Sequence, residues 1–193
     1  MRPRVVALVL AAGRASRFGS DKRQALLPDG RSLLQAVLQT QLDACRDVRV
    51  LLREGDAWGQ ALCTELGASW QSVVDADLGM GRTLAVGLRS IMADAGPPIE
   101  AALVVLADMP AVQPDTVRAL IEAFQQQGRL AWPWHTGRPG HPRLLPRANW
   151  PALLDLSGDE GARQRLDWSQ ATRVEVPDRG ILIDIDTPGD LGG

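Results

Sequence analysis

The chain has 193 residues, which at about 100–200 residues per domain is one domain's worth. Its 45% hydrophobic and 23% charged residues fit a globular protein and exclude disordered, collagen-like and coiled-coil chains. With 21 basic against 23 acidic residues and a net charge of −2, there is no broad basic field for wrapping nucleic acid.

In chain order, Val5–Leu10 is an unbroken aliphatic run of strand length, the pattern of a strand buried on both faces. Ser32 and Gln35 have capping-box spacing, and Leu33, Leu34, Val37, Leu38 and Leu42 then recur at helical spacing. Val48–Leu52 reads as a second strand, Trp58–Leu66 as a helix closed by Gly67, and Ser69–Val74 as a weak strand. After Gly79-Met80-Gly81, the positions of Leu84, Leu88 and Ile91 mark another helix. Ala101–Ala107 is a second buried strand, and Pro114 opens a helix with Val117, Leu120, Ile121 and Phe124 on one face and Gly128 at its end. This alternation with short connections predicts an α/β fold, a mostly parallel sheet with helices on both faces.

Beyond it, Gly128–Arg147 is rich in Pro, Gly, Trp and Arg and reads as two short strands with a long loop. Pro151–Leu156 and Gly161–Trp168 read as helical, and Arg173–Val176 and Ile181–Asp186 as strands. No apolar run approaches the ~20 residues of a membrane helix. Met1–Arg4 runs directly into structured sequence, which argues against a signal peptide. Cys45 and Cys63 lack metal or disulfide spacing, as expected of a protein in a reducing cytoplasm.

The residues that carry chemistry follow the first strand. In Leu10-Ala11-Ala12-Gly13-Arg14-Ala15-Ser16-Arg17-Phe18-Gly19-Ser20-Asp21-Lys22 there is no Gly-Lys-Ser/Thr, and Gly13 and Gly19 are six apart, so neither a Walker loop nor a GxGxxG is present. What remains is a small-residue loop open to an anion, with Arg17 and Lys22 to balance phosphate charge and Ser16 beside them. Lys22 is the sole lysine among the 21 basic residues. In an open α/β sheet such a loop faces the crevice beyond the strands' carboxyl ends, where Asp108 also falls. Asp108 suits Mg²⁺ there, or else braces its loop. On a strand, Asp184 and Asp186 would share one face; the plainer reading is that one of them caps the Thr187-Pro188 turn. Together these groups describe a metal-dependent phosphoryl or nucleotidyl transfer site.

The blocks LAAGRASRFGSDK, GMGRTLAVGL, LADMP, GRPGHP, GDEGAR and DIDTPGDL, in this order from Val5 to Leu191, resemble the MobA-like nucleotidyltransferases, especially the molybdenum cofactor cytidylyltransferase branch. The resemblance implies a Rossmann-like α/β nucleotidyltransferase fold, a single domain over 1–193 with a nucleotide-binding half at 5–110 and an acceptor-binding half at 111–193. It implies transfer of a nucleotide from an NTP to a phosphorylated acceptor with release of pyrophosphate. Leu10, Ala11, Ala12 and Gly13 would hold base and ribose, with Ser16 in the same loop, while Arg17 and Lys22 meet the triphosphate. Asp108 matches the Mg²⁺ ligand, and Asp186 is taken as the second ligand, with Asp184 as its alternative. Gly79, Gly81, Thr83 and Leu84 match a nucleotide-side segment. Gly140, His141 and Pro142, with Gly158 and Asp159, would lie towards the acceptor.

LAAG in place of LAGG favours CTP, and the GHP and GDxGAR blocks resemble enzymes acting on molybdopterin. The implied reaction therefore joins CMP to molybdenum cofactor, with a molybdoenzyme as a further partner and neither nucleic acid nor membrane involved. A phosphate monoester with a second pKa of ~6 is already largely dianionic, so His141 is not needed as a base. Three features depart from the pattern: Phe18 replaces a methionine, Arg82 stands where a small residue is common, and no helix follows the DxDTPxDL block. The competing readings are another acceptor or GTP, a non-catalytic cofactor-delivery protein, and, more distantly, an NADPH oxidoreductase.

Overall fold

The computed structural model describes residues 3–13, 18–158 and 160–192. The buried run of the sequence forms strand β1 (Val5–Leu10), which pairs in parallel with β2 (Asp47–Arg53) on one side and β4 (Ala101–Leu106) on the other. β3 (Ser69–Val73) extends the sheet in parallel beyond β2. Because the chain leaves β1 towards β2 and β3, then returns to place β4 on β1's opposite side, the strand order reverses between β1 and β4. A reversal of this kind opens a crevice at the strands' carboxyl ends.

Alternate side chains of the central strands feed two cores. On one face, Ala7, Val9, Val50, Leu52 and Leu103 pack against α1 (Leu33–Ala44), α2 (Ala57–Leu66) and α4 (Pro114–Gln127). On the other, Leu8, Leu51, Ala102 and Val104 pack against α3 (Met80–Ala93) and the segment from Trp150 to Ala162. The helix ends follow the sequence. Ser32 accepts a hydrogen bond from the Gln35 amide at 3.2 Å, and Gly67 and Gly128 end their helices in the left-handed conformation.

The last third departs from its sequence reading. Three short strands replace the expected two and their long loop: β5 (Ala131–His135), β6 (Arg138–Pro139) and β7 (Arg143–Pro146). Thr136 and Gly137, both at positive φ, close a two-residue hairpin between the first two. β7 inserts antiparallel between β4 and β5, and β8 (Thr172–Glu175) pairs in parallel with β5, giving a mixed sheet of eight strands. The helix expected at Pro151–Leu156 is a 3₁₀ segment over Arg147–Leu153, and only α5 (Ala162–Arg165) forms within Gly161–Trp168.

Ile181–Asp186 is not a strand. A 3₁₀ turn over Arg179–Leu182 leads into irregular backbone whose hydrogen bonds go to loops: the Ile181 carbonyl accepts from the His141 amide at 3.1 Å, and the Ile185 amide donates to the Asp108 carbonyl at 2.9 Å. Buried Asp178 anchors this segment, accepting from the Gln113 amide (2.8 Å), the Thr116 hydroxyl (2.6 Å) and the Gly180 amide (2.8 Å). No helix among the described residues is long and apolar enough to cross a membrane. Because Asp178→Ala orphans buried donors at the start of α4, it should cost about 1–3 kcal/mol in urea denaturation. An unchanged midpoint would show that this anchor is dispensable.

Candidate functional site

The crevice at the β1/β4 reversal is a cleft of ≈ 460 Å³. One wall is Leu10–Gly13, running off β1; the other is Leu106–Asp108, running off β4; Gly79, Met80 and Thr83 close it from the start of α3. Lys22 crosses it. Its ammonium donates to Asp108 Oδ2 at 2.9 Å, to the Ile185 carbonyl at 3.1 Å and to Asp186 Oδ1 at 3.3 Å. Residues 86 and 164 positions apart in sequence thus meet at one cation. Burial works against the Lys22 charge, but the hydrogen bonds and charges of Asp108 and Asp186 outweigh it and raise the pKa above the usual 10.5. Asp108 is the closer partner and the less exposed, at 25% of its side chain against 49% for Asp186, so solvent screens its attraction less.

The second oxygen of Asp108, Oδ1, is buried and has no hydrogen-bond partner among the described residues. A carboxylate with one oxygen on an ammonium and the other unsatisfied, beside a second carboxylate, is a hard-oxygen set suited to a Mg²⁺ ion that also binds substrate phosphates. Asp184 is exposed and hydrogen-bonds to no described residue. Without the strand, the expected shared face of Asp184 and Asp186 does not exist. The turn-capping role falls to Asp190, which accepts from the Asp186 and Thr187 amides at 3.1 and 2.7 Å.

Two residues that sequence reasoning missed set the loop's shape. Arg23 donates to the Ala11 carbonyl at 2.8 Å while paired with Asp21 and Asp56, and Arg53 donates to the Ala12 carbonyl at 3.0 Å while paired with Asp77. The one available signal was the position of Arg53, a cation at a parallel strand's carboxyl end.

The remaining expected residues divide between two places. Gly79 lines the cleft at φ +95°, where a Cβ would strike the Gly158 carbonyl; Gly81 fits against the Glu160 carbonyl. These glycines let α3 meet Ser157, Gly158 and Glu160. Leu84 and His141 line a separate, smaller cavity. Gly140 lies so close to the Ile181 carbonyl that no side chain fits, and a cis peptide joins His141 to Pro142. Arg82 is paired with Asp75 at 2.8 Å, and Phe18 packs on the α1/α4 core. Ser16, Arg17 and Asp159 lie outside the described residues. Cys45 and Cys63 are buried free thiols, pushed up to about 12 and about 11 by burial.

A doubly wound sheet with a lysine–carboxylate cluster at its switch point defines a nucleotide-handling α/β protein. Residues 7–174 match the MobA-like NTP transferase domain, and the chain belongs to that family of nucleotidyltransferases. It is 32% identical to a probable molybdenum cofactor guanylyltransferase of Chloroflexus aggregans (95% of this chain, 90% of the relative). It is 29% identical to the nicotine blue oxidoreductase of Paenarthrobacter nicotinovorans (96% and 93%), and 26% identical to the molybdenum cofactor cytidylyltransferase of Escherichia coli (95% and 92%). The crystal structure of Rv0371c from Mycobacterium tuberculosis superposes with a TM-score of 0.80 over 98% of this chain and 96% of that one, at 24% identity. A manganese complex of Rv0371c superposes at 0.70 over 90% and 87%, at 22% identity.

Two measurements test the electrostatics. With ¹⁵N-lysine the sole lysine gives one side-chain signal, and Asp108→Asn should lower the pH at which it titrates; an unmoved titration would deny the pairing. Burial and the nearby Arg143 hold His141 down to about 3, against 6.5 when exposed. The neutral imidazole therefore favours the fold above pH 6.5, and that contribution is lost as pH falls from 6.5 towards 3, by at most about 1.4 kcal/mol per unit. Urea titrations at pH 7 and pH 4 should show a smaller acid loss for His141→Gln than for the wild type.

Proposed function

We propose that the protein is a Mg²⁺-dependent nucleotidyltransferase that moves CMP from CTP to the terminal phosphate of a molybdopterin-type cofactor, releasing pyrophosphate. The observation that carries this reading is the contact of the Lys22 ammonium with both Asp108 and Asp186 beside the Leu10–Gly13 loop. The relatives named for molybdenum cofactor nucleotidyl transfer support the acceptor class, and LAAG at the first block supports CTP over GTP.

In this reading residues 5–110 bind the nucleotide and residues 111–193 the acceptor. Leu10–Gly13, held by Arg23 and Arg53, present base and ribose, and the family resemblance assigns Ser16 to the nucleotide and Arg17 to its triphosphate. Asp108 and Asp186 are the residues that would hold Mg²⁺, with Asp184 the alternative to Asp186. Bound Mg²⁺ would supply Lewis-acid charge at the α-phosphate. Lys22 places its positive charge between the two carboxylates, and that charge meets the phosphate oxygens. An acceptor phosphate oxygen forms the new bond to the α-phosphorus as the bond to the β-phosphate oxygen breaks, and the electron pair leaves with pyrophosphate. The attacking monoester is already dianionic, so no proton must be removed. A neutral His141 is consistent with that: it organises the Gly140–Pro142 turn at the acceptor side with Gly158 and Asp159, while Gly79, Gly81, Thr83 and Leu84 shape the wall between the halves.

A second reading comes from the nicotine blue oxidoreductase relative, in which the same cleft would hold a dinucleotide. One assay separates the two. The protein is incubated with each NTP, Mg²⁺ and molybdopterin cofactor while pyrophosphate and the cofactor–nucleotide product are followed, and a parallel sample monitors NADPH consumption. CTP should give pterin-dependent release, and Asp108→Asn should lower kcat by roughly 10²–10³-fold. Release with GTP alone, release without pterin, or consumption of NADPH would overturn the assignment.

A further inference from the structure

Next to the nucleotide cleft, and sharing Leu10, Met80 and Leu106 with it, is a cavity of ≈ 180 Å³ walled by Leu84, Val104 and Leu145 and bordered by His141, Arg143 and Arg163. Arg143 is out of place there. It stands on β7, an interior strand between β4 and β5, directly across from Val104, and its neighbours Leu144 and Leu145 are fully buried. A cation in such a position normally has a carboxylate partner. Among the described residues Arg143 has none, and its side chain donates no hydrogen bond to any of them; Nε is buried and unpartnered.

What holds it is aromatic. The guanidinium carbon lies 5.5 Å from the Trp132 ring centre and 5.3 Å from that of Trp168, and the two indoles are 5.0 Å apart at 33°. Two cation–π contacts fix the fork's place and leave its hydrogen-bonding capacity unused. Of the seven buried side-chain polar atoms without partners among the described residues, four belong to this neighbourhood: Trp132 Nε1, Trp134 Nε1, His141 Nδ1 and Arg143 Nε. The nearby charges do not satisfy the site. Arg163 adds a second cation, which together with burial draws Arg143 down to about 10, still charged at neutral pH. Glu160, the one carboxylate on the cavity wall among the described residues, is tied to Arg165 at 2.9 Å.

We propose that this cavity is an oxyanion pocket for the acceptor substrate, with Arg143 as the residue that receives the anion and Arg163 as its reinforcement. Only the word acceptor rests on the nucleotidyl-transfer reading. The anion pocket rests on the unpaired guanidinium, the cavity and the orphaned donors. The favoured ligand carries a phosphate or carboxylate on an apolar skeleton, since the anion meets the guanidinium while Leu84, Val104 and Leu145 line the rest. Because it shares Leu10, Met80 and Leu106 with the cleft that Lys22 lines, the cavity lies beside that cleft, within the span of one acceptor molecule. Arg143 is thus a binding and specificity residue, remote from bond exchange.

The test uses the full chain with Mg²⁺ and a saturating non-hydrolysable CTP analogue, so that any triphosphate subsite is filled. Inorganic phosphate is titrated and tryptophan emission is read, with acetate as a parallel probe. The wild type should give a saturable change; Arg143→Leu should weaken it at least tenfold, and exposed Arg163→Gln several-fold. The Arg163 variant keeps the test decisive if replacing Arg143 prevents folding. A stronger response to phosphate than to acetate assigns a phosphate acceptor, and the reverse a carboxylate. No saturable response in the wild type, or one indifferent to both substitutions, overturns the proposal. Calorimetry of Mg²⁺–CTP on the same samples separates the two claims. Phosphate binding that depends on Arg143 without nucleotide binding would leave the anion pocket standing and remove the transferase reading; nucleotide binding with Arg143-independent phosphate would do the opposite.

Discussion

One ammonium group organises this molecule's working end. Lys22 reaches from the loop after β1 to a carboxylate after β4 and to another near the C-terminus, and it also caps the Ile185 carbonyl between them. Two carboxylates drawn this close repel each other unless a cation sits between them. The lysine therefore permits an arrangement that the sheet by itself would disfavour, and it fastens the last irregular segment onto the sheet's carboxyl edge. A guanidinium would offer charge but not this geometry: three acceptors around one compact, rotatable head suit an ammonium. In a chain that otherwise uses arginine throughout, that distinction explains why a single lysine stands here.

The sheet supplies the stage for this contact. Because β1 has parallel neighbours on both sides, its carboxyl end opens between two loops rather than beside one. The mixed half of the sheet has another purpose: β7 enters antiparallel beside β4 and carries His141 and Arg143 to the flank of the same crevice. Close backbone approaches, Gly79 on Gly158 and Gly140 on Ile181, bring the start of α3 to the segment after Leu156 and the turn before β7 to the 3₁₀ turn at Ile181 without intervening side chains. Asp178 completes the attachment by binding the start of α4 to the turn that precedes Asp186.

The parts legible in the sequence are those governed by local pattern. Unbroken aliphatic runs located β1 and β4, and Ser32, Gly67, Pro114 and Gly128 marked helix ends because caps and glycine stops act within a few residues. Lys22, Asp108 and Asp186 were legible as well, since each lies at a strand's exit or in a block of unusual composition. The segment Ile181–Asp186 was not, because its alternating apolar pattern is that of a strand while its backbone bonds are taken by the turns at His141 and Asp108. The strand face expected to be shared by Asp184 and Asp186 is absent for the same reason. Arg23 and Arg143 escaped notice because their sequence context does not show what they will touch, and Arg53 offered only its place at the end of a strand. Their roles exist only once Ala11, Ala12 and the tryptophans have been brought to them by the fold.

The two arginines on the Ala11 and Ala12 carbonyls bear on how this loop can be altered. Its contour is imposed from outside, by a guanidinium in the turn before α1 and another at the end of β2, each anchored in turn by an aspartate. Transplanting residues 10–13 into a different scaffold would carry the letters of the motif and leave its curvature behind. A functional graft would have to bring five further side chains, Asp21, Arg23, Arg53, Asp56 and Asp77, drawn from three separate stretches of chain, along with it.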